Sequence, residues 1–87
     1  MTVQTFREWV NQAGHPWANI AKQKGFEFNS DHRMAGALAQ TFSKGDAELQ
    51  LISSSSGHHR FILSPRPGAP AIEGDSEPKL NQALLRY

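Results

Sequence analysis

The sequence of 87 residues predicts an α+β fold of three helices, a β-hairpin, a linker and a short C-terminal helix. Apolar residues recur at helical spacing through the first half of the chain. Two runs with alternating apolar and polar residues follow, AELQLIS (47–53) and HRFILSP (59–65), separated by a serine-rich stretch. Proline at positions 65, 67 and 70 then argues against a long further strand inside a sheet.

The first two helices are predicted on either side of Gly14. In the segment TVQTFREWVNQAG (2–14), one stripe carries the apolar residues Val3, Phe6, Val10 and Ala13. Pro16 suits the first turn of a second helix, because its missing N–H would have no partner there. Gly25 is a good residue to end that helix.

The third helix is predicted over Asp31 to Lys44. The preceding Asn29-Ser30-Asp31 is a dense N-cap signal. An i, i+4, i+8 apolar stripe follows, formed by Met34, Leu38 and Phe42. Gly45-Asp46 ends the helix in this interpretation.

The two alternating runs predict a β-hairpin whose strands place Leu49, Leu51, Phe61 and Leu63 inward. The predicted organisation is therefore a domain at 1–66, a linker at 67–76 and a short helix at 77–87. We expect the acidic residues of the linker region to be solvated, or alternatively to occupy a basic surface when no nucleic acid is bound. These residues are Glu73, Asp75 and Glu77.

Composition limits the function classes. The chain has no cysteine, which excludes disulfides and thiolate metal sites. It has no apolar run long enough to span a bilayer and no signal-peptide pattern, so we expect a soluble, cytoplasmic protein without a membrane partner. The formal net charge of +1 permits nucleic-acid binding without arguing for it, because strong binders are usually far more basic.

The order of elements resembles a winged helix over roughly residues 3–65. The segment IAKQKGFEFNSDHRMAGALAQTF (20–42) is similar to a helix-turn-helix, and AELQLISSSSGHHRFILSP (47–65) is similar to the wing. The pattern is also similar to the LOTUS-type winged helices. The resemblance implies DNA as the more common partner, and the LOTUS-like pattern keeps RNA open.

The function that this resemblance implies is a small non-enzymatic nucleic-acid-binding module, a regulator or accessory factor in processes such as transcription. Helix 31–44 would enter a groove and the hairpin tip 53–60 would contact phosphate. Low net charge predicts modest affinity for the monomer, so a homodimer or a second partner would be needed. The candidate nucleic-acid-binding residues are Lys22, Lys24, His32, Arg33, Gln40, Lys44, His58, His59 and Arg60.

Two alternatives stay open. One is a protein-interaction adaptor or inhibitor of a larger complex, which an exposed Trp17, Phe26 or Phe28 would favour because aromatic residues anchor interfaces. In the other, SGHHRF (56–61) and SEPKLNQALLRY (76–87) are similar to the HicA-type ribonuclease toxins, which implies His58 or His59 as the catalytic base.

We expect no metal site and no cofactor. Adjacent histidines on a strand point to opposite faces of a sheet, so His58 and His59 are poorly placed to share one ion. No His-x-His or His-x3-His spacing occurs elsewhere in the sequence.

Overall fold

The structure, a computed structural model, describes residues 15–34 and 36–87, and these form a five-stranded antiparallel sheet with two short helices. The strand order is β1-β2-β3-β4-β5, so each strand pairs with its neighbour in sequence. The elements are α1 (Ala18–Gln23), β1 (Glu27–Met34), β2 (Ala37–Lys44), β3 (Ala47–Ser54), β4 (His59–Ser64), β5 (Ile72–Gly74) and α2 (Glu77–Ala83).

One face of the sheet carries the core. In β3 every second residue from Ala47 to Ser53 is buried, because side chains alternate between the two faces of a strand. Both helices pack on this face and close a single apolar cluster. Its larger members are Trp17, Phe26, Phe42, Leu49, Leu51, Phe61, Leu63, Leu80 and Leu84.

The predicted third helix is wrong, and the winged-helix fold class is wrong with it. Residues 31–34 form the second half of β1 and residues 37–44 form the whole of β2, and the two strands pair as a hairpin. The apolar stripe misled because a spacing of four places Leu38 and Phe42 on one side of a helix and also on one face of a strand. In β2 both residues are buried on the core face, opposite Ser53 and Leu49 of β3.

The helix-turn-helix interpretation of residues 20–42 is wrong for the same reason, and DNA binding through a recognition helix has no support in this fold. Only α1 of that segment is helical, over Ala18–Gln23. The N-cap signal at 29–31 falls instead beside a β-bulge, where the register of β1 shifts between Phe28 and Ser30. The first predicted helix, at 2–13, lies outside the described residues.

The C-terminal part of the chain completes the sheet and the core. Within the stretch 67–76, the short edge strand β5 pairs with β4, placing Gly74 opposite Phe61. The Oγ of Ser76 caps α2 by accepting from the N–H of Lys79, at 3.4 Å. Leu80 and Leu84 of this C-terminal segment are fully buried against the sheet. Neither described helix is long and apolar enough to cross a membrane.

Replacing Gly36 with alanine should lower the free energy of unfolding by about 1 kcal/mol, because the φ of Gly36 is +70° and an L-residue is strained there. A new Cβ would meet only the Oγ of Ser55, at 3.7 Å, so the effect comes from the backbone. If residue 36 lay inside the predicted third helix, Gly36→Ala would instead raise the free energy of unfolding by about 1 kcal/mol. Urea unfolding of the variant measures the sign.

Gly45→Ala is the matched control for that measurement. Gly45 has a φ of +58° in the β2–β3 turn, and nothing lies within 4 Å of a Cβ placed there. Gly45→Ala should therefore lower the free energy of unfolding by about as much as Gly36→Ala does. A Gly36→Ala variant more stable than the wild type would contradict the β1–β2 hairpin.

Candidate functional site

The structure brings three of the predicted binding residues together at the start of β4. His58, His59 and Arg60 follow a turn that the N–H of Ser54 closes by donating to the carbonyl of His58, at 2.9 Å. Gly57 occupies this turn with a φ of +95°, a left-handed conformation that glycine adopts without strain. The tight turn therefore fixes where the three consecutive side chains emerge.

Beside these residues lies a concavity of about 490 Å³, which we call the cleft. β5 pairs only with Phe61 to Leu63, so no strand of the described chain pairs with the outer edge of His59 and Arg60. The cleft lies beside this part of β4. Its lining residues are Trp17, Gly57, His58, His59, Arg60 and Asp75.

A buried histidine supports the wall of the cleft. The ring of His15 lies 4.9 Å from the ring of His59 and 5.0 Å from that of Trp17, measured between centroids. Its Nδ1 accepts from the N–H of Trp17 at 3.1 Å, and its Nε2–H donates to the carbonyl of Ile52 at 3.0 Å. These two bonds require the neutral tautomer protonated on Nε2.

Burial also favours the neutral form of two histidines, His15 and His59. It lowers the pKa of His15 to about 4, a shift that the Ile52 carbonyl opposes and the neighbouring His59 reinforces. Burial, and then the neighbouring His58, lower the pKa of His59 as well. Near pH 7, therefore, neither ring contributes a positive charge to the cleft.

The accessible groups of the cleft are the outer ones. Trp17 is only 8% exposed, so it cannot offer a ring face to a stacked base. His58 and Arg60 are exposed. Arg60 Nη2 donates to Glu73 Oε1 at 3.3 Å, in an ion pair whose two side chains are each more than half exposed.

A second exposed ion pair lies next to the first. Lys79 Nζ donates to Asp75 Oδ1 at 3.2 Å, and this hydrogen bond lowers the pKa of Asp75. Arg60 and Asp75 both line the cleft, so its rim carries a cation and a carboxylate. Glu73 is thus paired with Arg60 and Asp75 with Lys79, and both carboxylates stay exposed to solvent.

The other predicted binding residues lie away from the cleft. Lys22 is exposed on α1 and His32 is exposed on β1, where its Nε2 lies 3.1 Å from Ser30 Oγ. Arg33 pairs with Leu38 in the ladder between β1 and β2. None of these three residues lines the cleft.

Two of the predicted nucleic-acid-binding residues form hydrogen bonds within the protein. Gln40 is buried and donates to Asp31 Oδ1 at 3.0 Å, while its Oε1 accepts from the N–H of His15 at 2.9 Å. Lys44 Nζ donates to the carbonyls of Lys24, at 2.7 Å, and Tyr87, at 3.0 Å. Both side chains fasten parts of the fold to one another.

The sequence did not identify Trp17 or Lys79 as parts of this site, and it placed Glu73 and Asp75 near basic residues only as an alternative to a solvated linker. The i, i+4 spacing of Asp75 and Lys79 is a readable signal for an ion pair at a helix start. Glu73 reaches Arg60 only because β5 pairs with β4, and three residues among prolines give no strand signal of their own.

The described residues include no group of three or more histidine, aspartate and glutamate side chains that could hold a metal ion. Nδ1 of His59 is buried and has no hydrogen-bond partner within the described part of the chain. A catalytic histidine needs a partner that orients its ring, and these residues supply none at that atom.

No protein-family model, no curated protein and no solved structure matches this chain. The chemistry of the cleft therefore has to be deduced from its own residues. They offer a guanidinium, an exposed imidazole and a carboxylate around a concavity of small-ligand size.

Proposed function

We propose that this chain is a small non-enzymatic nucleic-acid-binding module that takes an unpaired strand into the cleft. The observation that supports it is the placement of the exposed side chains of His58 and Arg60 beside Asp75, in about 490 Å³ of open space. Arginine binds phosphate through paired hydrogen bonds, and a carboxylate accepts from the amino groups of bases. The cleft thus combines a phosphate contact with a base contact.

An unpaired strand fits this geometry better than a duplex. The cleft is the size of a small-ligand pocket. The two described helices have six and seven residues, and residues 31–34 and 37–44 belong to strands, so the contacts predicted on a helix over 31–44 are not presented to a duplex groove by a helix. The preference for DNA over RNA depended on the winged helix and is not retained.

Replacing Arg60 with alanine should weaken binding of a short unpaired RNA or DNA oligonucleotide about tenfold or more, because a charge-assisted contact to phosphate is lost. Fluorescence anisotropy with the labelled oligonucleotide, from about 50 to about 200 mM salt, measures the effect and its salt dependence. The slope of affinity against salt should also become shallower in the variant.

Arg66→Ala is the matched control, since Arg66 is exposed, carries the same charge and does not line the cleft. It should bind like the wild type to within about twofold. If the wild type shows no salt-dependent binding to RNA or DNA, the proposal fails. RNA cleavage that disappears in His58→Ala or His59→Ala would make the protein a ribonuclease instead.

A protein-interaction module is the second candidate, and the exposure of Phe28 favours it. Of the three aromatic residues that would favour this function, Trp17 and Phe26 are buried, whereas Phe28 is 48% exposed on β1. Its ring packs edge-on against Phe42, with the centroids 5.7 Å apart, so the exposed part is held in one place. A fixed, half-exposed aromatic can anchor a protein partner at low entropic cost.

A further inference from the structure

Two further depressions continue from the cleft along β5 to α2. The central depression, about 280 Å³, shares Arg60 and Asp75 with the cleft and also contains Glu73 and Lys79. The apolar depression, about 290 Å³, shares Glu73 and Lys79 with the central one and is lined further by Phe61, Ile72, Gln82 and Ala83. Shared residues join the three concavities into one groove.

The central depression holds two cations, each paired with a carboxylate of this chain. Arg60 contacts Glu73 at 3.3 Å, and Lys79 contacts Asp75 at 3.2 Å. All four side chains are more than half exposed, and such pairs contribute little to stability. A phosphate could therefore replace the carboxylates without unfolding any element, in a depression that both cations line.

The apolar depression has the features of a base-binding surface. Ile72 is 44% exposed and supplies the accessible apolar surface of this depression, whereas Phe61 lies beneath Gly74 and is 1% exposed. Gln82 at the rim offers both a donor and an acceptor. An apolar surface with an amide at its edge suits a base, which has an apolar face and a polar edge.

We propose that the groove takes at least two consecutive nucleotides of one unpaired strand. A phosphate lies between Arg60 and Lys79, displacing Glu73 and Asp75, and the adjoining base packs on Ile72. Glu73, the partner of Arg60, then acts as an internal competitor that lowers the affinity for the strand. This inference rests on the proposed function, because the cleft has to bind the strand first.

The test compares a mononucleotide with a dinucleotide, using titration calorimetry on the full chain. The wild type should bind the dinucleotide about tenfold more tightly, the effect of one added charged contact. Lys79→Gln should remove most of this advantage, because one of the two cations at the phosphate is lost. Lys22→Gln, at an exposed lysine of α1 outside the groove, should retain it.

The competitor role has its own matched pair of variants. Glu73→Gln should raise dinucleotide affinity about threefold or more, because the guanidinium of Arg60 loses its internal partner. Glu48→Gln makes the same change in net charge at an exposed position near the N-terminal end of β3, whereas His59 pairs with Ser53 near its C-terminal end. This variant should alter dinucleotide affinity less than about twofold.

The results separate this inference from the proposed function. If Arg60→Ala weakens binding while Lys79→Gln binds the dinucleotide like the wild type, the extended groove is wrong and the cleft stands. Equal wild-type affinity for the mononucleotide and the dinucleotide would overturn the extended groove in the same way. If neither these ligands nor longer oligonucleotides bind, the proposed function and the groove both fail.

Discussion

Replacing Phe61 with alanine should lower the free energy of unfolding by about 4 kcal/mol, the typical effect of removing a buried aromatic ring. Phe61 is 1% exposed and pairs with Leu51 of β3 on one side and Gly74 of β5 on the other. A domain of this size has a total stability of only about 5 to 10 kcal/mol. Urea unfolding followed by circular dichroism should therefore show a partly unfolded variant or a much earlier midpoint.

Ile62→Ala is the control for Phe61→Ala. Ile62 is the next residue of β4, lies on the opposite face of the sheet and is only partly buried. Its replacement should destabilise by about 1 kcal/mol. Phe61→Leu, which keeps most of the apolar volume, should fall between the two. If Ile62→Ala destabilised as strongly as Phe61→Ala, the assignment of the two faces would be wrong.

Lowering the pH from 7 to about 4 should destabilise the protein by roughly 3 kcal/mol through His15 alone. The pKa of His15 is about 4 in the folded protein because of burial, against 6.5 for an ordinary histidine. Between these values the unfolded chain binds more protons, so stability falls as the pH falls from 6.5 to 4. Well above pH 6.5 neither state binds this proton, and this histidine contributes no pH dependence. The lowered pKa of His59 acts in the same direction.

Urea unfolding at a series of pH values, for the wild type and His15→Gln, measures this effect. The variant should be less stable at pH 7, because a buried side chain with two hydrogen bonds is replaced, but its stability should change less between pH 6.5 and 4. His32→Gln, at an exposed position of β1, is the control and should follow the wild-type pH dependence. If the curves for the wild type and His15→Gln are parallel, His15 is not the titrating group.

The parts of the fold that the sequence predicts are those that local patterns determine. The alternation of apolar residues from Ala47 to Ser53 and from His59 to Ser64 is typical of β-strands with one buried face, and these runs pair as β3 and β4. The segment after Ser76 has a capping residue, a proline in its first turn and a leucine pair four residues apart, and the chain forms α2 there.

The remaining elements depend on information that local patterns do not carry. Leu38 and Phe42 fit a helix and a strand equally well, and the left-handed φ of Gly36 that favours a hairpin cannot be read from a glycine alone. The pairing of β5 with β4 is stabilised by neighbours distant in sequence rather than by its own composition.

The same limit applies to the site. His58, His59 and Arg60 are adjacent in sequence, so their grouping could be predicted, whereas Trp17, Glu73 and Asp75 join them only through the tertiary fold. Gln40 and Lys44 were predicted as nucleic-acid contacts on a helix over 31–44. In β2 they lie on the same face as Phe42, which places Gln40 in the interior and Lys44 against two backbone carbonyls.

The strand order also affects how fast the molecule can fold. Since every strand pairs with the next one along the chain, β2 to β5 are joined by short loops, at residues 45–46, 55–58 and 65–71. Closing short loops removes little chain entropy, and proteins rich in such local contacts cross their folding barrier rapidly. The bond from Lys44 to the Tyr87 carbonyl joins residues 43 positions apart. We therefore expect the hairpins to form first, and the docking of α2, which brings Tyr87 to Lys44, to follow later in the folding reaction.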